Sequence, residues 1–270
     1  MILNEYFKAY YSQLTKSEKE IATYIEENIE NVMYFSIADL SREIGVGEST
    51  IVRFCRKLGY RGFYQFKIEL AKQYASETND ESEDYVDLIE KNMINVIKST
   101  KLIVNKEKLQ EAINLILGAG YIYLYGVGAS GLAALEGEGK FMRGGLKCKA
   151  VTDSHFQTIL SGTLTEKDVI IVISLSGSTK DLFEPIDIAY KNGTKIIVLT
   201  NNVNSKLAKY AHVTMQTAGY EKPLDGGSFV AKISQLYMLD LLYTGVVLSD
   251  KNKISNNERK AAEAISRKID

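Results

Sequence analysis

The sequence predicts an all-α helix-turn-helix domain followed by an α/β domain, with a five-stranded parallel sheet sandwiched between helices. Three observations carry this. Residues 1–75 space their apolar side chains at helical intervals and break at a short turn containing Gly45 and Gly47. From Tyr121 onward, short apolar runs alternate with helical stretches long enough for parallel crossovers. Between these regions, residues 77–84 (ETNDESED) hold five acids in eight positions and nothing apolar, a linker composition.

In the first region, Thr15-x-x-Glu18 and Ser17-x-x-Glu20 both fit a capping box ahead of a stripe of Ile21, Ala22, Ile25 and Ile29. Ser36 precedes IADLSREIG, a short helix with Ile37, Leu40 and Ile44 inward and Gly45 as its stop. VGEST reads as a tight turn, and TIVRFCRKLG as a second helix ending at Gly59. On that helix Ile51, Phe54, Cys55 and Leu58 fall on one side, and Ser49, Arg53, Arg56 and Tyr60 on the other.

Charge is concentrated on the second side. From Ser49 to Lys67 there are five basic residues and no acid, although residues 1–77 carry ten basic and eleven acidic residues together. The net charge of −1 excludes a uniformly basic surface, so a nucleic-acid contact has to be a local patch such as this one. Ser49 and Thr50 at the helix start suit phosphate or base edges. Arg53 suits a guanine edge or a phosphate, and Arg56, Lys57 and Arg61 suit the DNA backbone. The competing reading is a helical protein-interaction domain with a solvated basic face. Tyr60, Phe63, Tyr64 and Phe66 are read as core for the helix GFYQFKIELAKQYA rather than as base-stacking groups.

The expected domains are 1–77 (helix-turn-helix), 78–118 (acidic linker and connecting helices), 119–250 (α/β) and 251–270 (a closing helix). The connecting helix at 85–104 carries Val86, Ile89, Met93, Val96 and Ile97 as a stripe facing either the second domain or another subunit. Candidate strands are 121–125, 148–151, 169–174, 195–200 and 212–217. Val169–Ile173 is a continuous β-favouring run, as expected for a strand covered on both faces.

That strand leads directly into Ser174, Ser176, Gly177, Ser178 and Thr179, and then into a helical pattern stopped by Asn192-Gly193. A loop entering a helix at the carboxyl end of a parallel strand offers free N–H groups and a positive dipole end to an anion. Ser178-x-x-Asp181 also fits a capping box that needs no ligand, and this segment alone leaves both readings open. The first strand enters Gly126-Val127-Gly128-Ala129-Ser130-Gly131, which nominally meets a dinucleotide fingerprint, with Asp153 near the expected offset for a ribose partner. Two neighbouring turns lined with hydroxyls favour one phosphate and a polyol over a dinucleotide. The helix from Ser228 to Leu248 is apolar enough for packing or a subunit interface, and Ser228 is placed to reach the pocket.

Two cysteines, Cys55 and Cys148, each lie inside a patterned segment, so reduced thiols in a cytoplasmic protein are expected rather than a disulfide frame. The opening residues lack the apolar core of a signal peptide, and no apolar run reaches membrane-spanning length. No cofactor and no metal site are expected.

GVGAS at 126–130 and SLSGST at 174–179 resemble the two loops of the sugar isomerase (SIS) domain, a flavodoxin-like module that binds sugar phosphates. SIADLSREIGVGESTIVRFCRKLGYRGFYQFK resembles the helix-turn-helix of the RpiR/MurR family of bacterial transcriptional regulators, which join these two domains in this order. The resemblance implies that Gly128, Ser130, Ser174, Ser176 and Thr179 hold a phosphate, with Ser178 at a variable position. It makes Asp153 and His155 candidate sugar contacts, against the plainer reading of a loop and helix cap. The implied partners are a palindromic double-stranded DNA operator and a phosphosugar effector, bound by a homodimer or homotetramer. The alternative is an isomerase, with Glu136 or Glu138 as its base. His212, Lys180 and Asp181 are read as structural or surface residues.

Overall fold

A computed structural model describes residues 14–33, 35–77, 84–219 and 229–266. Two compact units divide the chain between Leu88 and Ile89.

In the first unit, α1 (Lys16–Glu27) is closed at its start by reciprocal bonds between Thr15 and Glu18. Ser17 lies inside this helix, so the second capping match is not used. Ile21, Ala22 and Ile25 are buried, but the helix breaks at Asn28, and Ile29 opens a separate turn, α2 (Ile29–Val32). α3 (Ile37–Ile44) repeats the reciprocal cap with Ser36 and Asp39 and ends at Gly45. α4 (Glu48–Lys57) begins after Gly47, so Glu48, Ser49 and Thr50 form its first turn rather than the connecting turn.

Ile51, Phe54 and Cys55 of α4 are fully buried against α1, α3 and α5 (Phe63–Glu77). Each large apolar side chain buried there contributes about 2 kcal/mol, which outweighs the modest helix propensity of so short a segment. The Phe54 and Tyr60 rings meet Phe66 edge-on at 6.2 and 5.4 Å, which confirms them as core. Tyr64 does not belong with them: it is 68% exposed, because one step past Phe63 turns a side chain about 100° away from the core. Burial pushes the Cys55 thiol up to about 12, so it packs as a neutral group.

The helix α6 (Tyr85–Ile103) runs across this division, and α7 (Lys106–Gly118) follows in the second unit. Of the expected α6 stripe Val96 is buried, whereas Val86, Ile89 and Ile97 are 55%, 48% and 38% exposed. Five parallel strands follow, in the order β2-β1-β3-β4-β5: β1 (Tyr121–Tyr125), β2 (Cys148–Val151), β3 (Asp168–Ile173), β4 (Lys195–Thr200) and β5 (Val213–Gln216). His212 therefore stands just ahead of β5 rather than within it.

Alternate strand residues face opposite helix layers. Ile122, Leu124, Ile171 and Leu199 pack with α7, α8 (Gly128–Arg143) and α11 (Phe229–Ser249). Tyr125, Ile170, Val172 and Val198 pack with α9 (Ser154–Ser161) and α10 (Phe183–Lys191). Central strand β3 is covered on both sides, with Val169–Ile173 each at most 2% exposed. α12 (Lys251–Ser266) ends the described chain. Ser228 lies outside the described residues. No described helix is long and apolar enough to cross a membrane.

From β1 the chain crosses to one side, to β2, and then returns to the other, to β3. The strand order thus reverses between β1 and β3, where Tyr125 pairs with Val172. A crevice outside the carboxyl ends of two such strands is the usual ligand position in an open α/β sheet.

Candidate functional site

The first candidate surface is the outer face of α4. Ser49, Arg53, Arg56, Lys57 and Arg61 are exposed and Thr50 is partly covered. The Arg53 guanidinium donates to Thr50 Oγ1 at 3.3 Å, which links two of the candidate DNA contacts on one helical turn. Two of the five cations have internal work. Lys57 Nζ lies 2.9 Å from Glu18 Oε2 and ties α4 to α1. Burial raises the Glu18 carboxyl, but hydrogen bonds from Lys57 and Thr15 outweigh it and hold the group below its ordinary value. Lys67 donates to the Phe35 carbonyl at 2.7 Å and lies over the Phe63 ring. Arg53, Arg56 and Arg61 carry the exposed positive charge.

The second candidate surface is the pair of loops after β1 and β3. Gly126 passes so close to the Ser130 carbonyl that a methyl group there would overlap it. α8 then starts at Gly128 with Val127 as its cap, and Val127 has no side-chain oxygen to offer the first-turn N–H groups. Those donors and the positive helix end favour an anion. Within this turn, Ser130 Oγ accepts from the Gln235 amide at 3.0 Å.

In the other loop Ser174 is buried and shares a 2.9 Å hydrogen bond with Thr179 Oγ1. Ser176 Oγ accepts the Ser178 N–H, and both of these serines are exposed. Gly177 has φ +60°, a left-handed conformation in which a side chain is strained. The capping box expected of Ser178 and Asp181 does not form. A 3₁₀ turn at Lys180–Leu182 follows Thr179 without any side-chain cap, and α10 starts only at Phe183. The hydroxyls of this loop are therefore not used to cap a helix.

Sequence reasoning missed the residues that frame these loops. Thr200 Oγ1 and the Asn201 N–H both donate to the Leu175 carbonyl, at 2.9 and 2.8 Å. Their signal was present: Thr200-Asn201-Asn202 is a polar cluster at the end of an apolar strand. Gln157, fully buried on α9, donates from one amide nitrogen to the carbonyls of Gly126 (3.2 Å) and Val151 (2.6 Å), joining the exits of β1 and β2. The Tyr125 hydroxyl, pushed up to about 12 by burial, lies 3.3 Å from the Gln157 carbonyl and 3.2 Å from Ser161 Oγ. Gln157 and Gln235 could have been noticed only as glutamines inside otherwise apolar helix faces.

Asp153 caps α9, accepting the Phe156 N–H at 3.0 Å, and His155 is exposed beside the Phe156 ring. Among the described residues no hydrogen bond joins either to the Ser174–Thr179 loop. Glu138 is buried, and its carboxylate accepts the Ala150 N–H and the Lys149 ammonium, at 3.1 and 3.2 Å. It closes the edge of β2 and is not presented to a substrate. Glu136 lines a separate cleft of about 1220 Å³ between α8, α11 and α12, to which neither loop contributes. Among the described residues no cluster of His, Cys, Asp or Glu is arranged to hold a metal.

Residues 1–77 match the helix-turn-helix domain of the rpiR family, and residues 115–245 match the SIS domain. An uncharacterised HTH-type transcriptional regulator of Clostridium perfringens is 37% identical, covering 97% of this chain and 96% of its own. A second, from Haemophilus influenzae, is 32% identical over 94% of this chain and 93% of its own. Among solved structures, the Vibrio vulnificus NanR protein complexed with ManNAc-6P has a TM-score of 0.87 at 26% identity, covering 100% of this chain and 99% of that one. The chain belongs to the RpiR family of HTH-type transcriptional regulators, pairing a helix-turn-helix domain with a SIS domain, and acts as a regulator rather than an enzyme.

Proposed function

We propose that a phosphosugar, bound where β1 and β3 end, sets the affinity of this regulator for its operator. The observation that carries the reading is that a glycine turn leading into Ser130 and a loop with the four hydroxyls of Ser174, Ser176, Ser178 and Thr179 leave adjacent strands at the reversal of strand order, and neither caps its helix with a side-chain oxygen. Gly128, Ser130, Ser174, Ser176, Ser178 and Thr179 hold the phosphate in this reading, with Asp153 and His155 at the sugar end. The NanR likeness makes an N-acetylated hexosamine 6-phosphate the first effector to test, and an operon of sugar or amino-sugar metabolism the corresponding target.

On DNA, α4 enters the major groove, with Ser49, Thr50 and Arg53 toward the bases and Arg56, Lys57 and Arg61 on phosphates. The protein works in the cytoplasm as a homodimer or homotetramer on a palindromic operator. The exposed apolar positions Val86, Ile89 and Ile97 of α6 support a second copy as its partner, because a helix gains most of its stability from a covered apolar face. The functional division is 1–77 for DNA, 78–118 for connection, 119–250 for the effector and 251–270 for closure. An effector that favours one subunit arrangement changes half-site spacing. Typical coupling of about 1–3 kcal/mol gives a roughly 5- to 150-fold change in DNA affinity.

A thermal-melting panel of hexose and amino-sugar phosphates tests the effector half. Stabilisation by one member, without turnover, supports the proposal, whereas no shift with any member contradicts it.

A further inference from the structure

We infer that Gln235 is a positioning residue of the phosphosugar site: from α11 it holds the Ser130 hydroxyl so that the Ser130 proton is directed to the bound anion. This rests on the anion site proposed above and adds to it a residue from a different element of the fold. Gln235 is 3% exposed, and its amide nitrogen lies 3.0 Å from Ser130 Oγ, 105 positions away in the chain.

The chemistry of the two groups fixes what the contact does. An amide nitrogen only donates, whereas a serine hydroxyl has one proton and two lone pairs. Ser130 therefore accepts from Gln235 and keeps its own proton to give elsewhere. It stands in the first turn of α8, where backbone N–H groups already favour negative charge, so a phosphate oxygen is the acceptor that matches.

The donor is also rigidly placed. Leu239, one turn beyond Gln235 on the same helix face, is buried against Gly137 of α8, where an added methyl would lie 3.3 Å from it. On the other side of Gln235, Ser234 Oγ donates to the Ala231 carbonyl at 2.7 Å. With both neighbours fixed, the amide is held to Ser130 before any ligand arrives, and the ordering cost of binding falls accordingly.

The substitution Gln235→Met keeps the length and packing volume but removes the donor, and Gln235→Glu replaces it with an acceptor that competes for the Ser130 proton. The test is calorimetric titration of the full chain with N-acetylmannosamine 6-phosphate, and with inorganic phosphate as a second probe. It covers the wild type, Q235M, Q235E, S130A and the double variant Q235M/S130A. Q235M is expected to weaken binding about 5- to 30-fold, as removal of a hydrogen bond to a charged cluster does. Q235E is expected to weaken it further, and the double variant to bind no worse than S130A.

A merely structural role would lower the melting temperature while leaving probe affinity unchanged, or would give losses that multiply in the double variant. Either result overturns the inference while the anion site stands. If the wild type binds neither probe, the anion site itself falls, and the role of Gln235 falls with it.

Discussion

Gly177 stands against the Ser205 hydroxyl with no room between them for a methyl group. This contact, together with the bond from the Leu207 N–H to the Gly177 carbonyl (3.1 Å), presses the hydroxyl loop onto the exit of β4. A left-handed residue other than glycine costs about 1–2 kcal/mol before any overlap is counted. Gly177→Ala is expected to lower stability by about 2 kcal/mol or more in urea unfolding and to abolish the melting shift given by the effector.

In the proposed docking Arg53 is the cation assigned to the bases, because it sits one turn from Ser49 and Thr50 and its only described side-chain hydrogen bond is to Thr50. Arg53→Ala is expected to weaken operator binding by about 1–3 kcal/mol. Loss of a phosphate contact, as in Arg56→Ala, should instead lower affinity for all sequences and reduce the salt slope by about one. Fluorescence anisotropy on operator and scrambled duplexes across a salt series separates the two outcomes.

Lys57 behaves differently, because its ammonium is bound to Glu18. The Glu18 carboxyl sits below its unfolded value, so its contribution to stability is present above the unfolded pKa and is lost as pH falls through the lowered folded one. Glu18→Gln is expected to cost about 1 kcal/mol at pH 7, and the gap to the wild type should close under acid. Urea unfolding at pH 7 and near pH 3 checks both the size and the sign. Lys57→Ala should accordingly lower stability as well as DNA affinity.

His212 offers a second pH test. Its Nδ1 accepts the Ile196 N–H at 3.1 Å, which only the neutral ring can do, and burial together with Lys195 lowers its pKa. The unfolded chain therefore binds the proton more readily, so stability is greatest above the ordinary histidine pKa and declines as pH falls through the folded value. His212→Ala should flatten that decline in thermal melts between pH 7.5 and 5.5.

Periodicity and punctuation made much of this architecture legible before any coordinates. Val169–Ile173 announced a strand covered on both faces because no polar residue interrupts it, and Gly45 and Gly47 marked the turn between α3 and α4. Local pattern is silent where a distant partner adds to a residue's work. Lys57 read only as a phosphate contact, because nothing near it in sequence reveals its bond to Glu18, 39 positions away. The Ser178–Asp181 capping box was a correct local match that tertiary contacts overrode, since Gly177 is held to Ser205 and Leu207. The Gln157 contact joins α9 to the exit of β1 across 31 positions and the Gln235 contact joins α11 to the first turn of α8 across 105, beyond the reach of any local pattern.

Ile89, 48% exposed on α6, tests the assembly. Ile89→Asp puts a charge on the face assigned to a second copy, where burying it is costly. Sedimentation is expected to show a shift toward monomer and a loss of operator binding with the melting temperature nearly unchanged. An unaltered sedimentation coefficient would remove α6 from the interface.

The central claim is that one ligand site governs a DNA-binding domain, and a titration of operator DNA at fixed salt, with and without saturating sugar phosphate, addresses it most directly. The expected result is a 5-fold or larger change in operator affinity that disappears when Ser176 and Ser178 are both replaced by alanine. Identical affinity with and without a sugar phosphate that demonstrably binds the protein would contradict it.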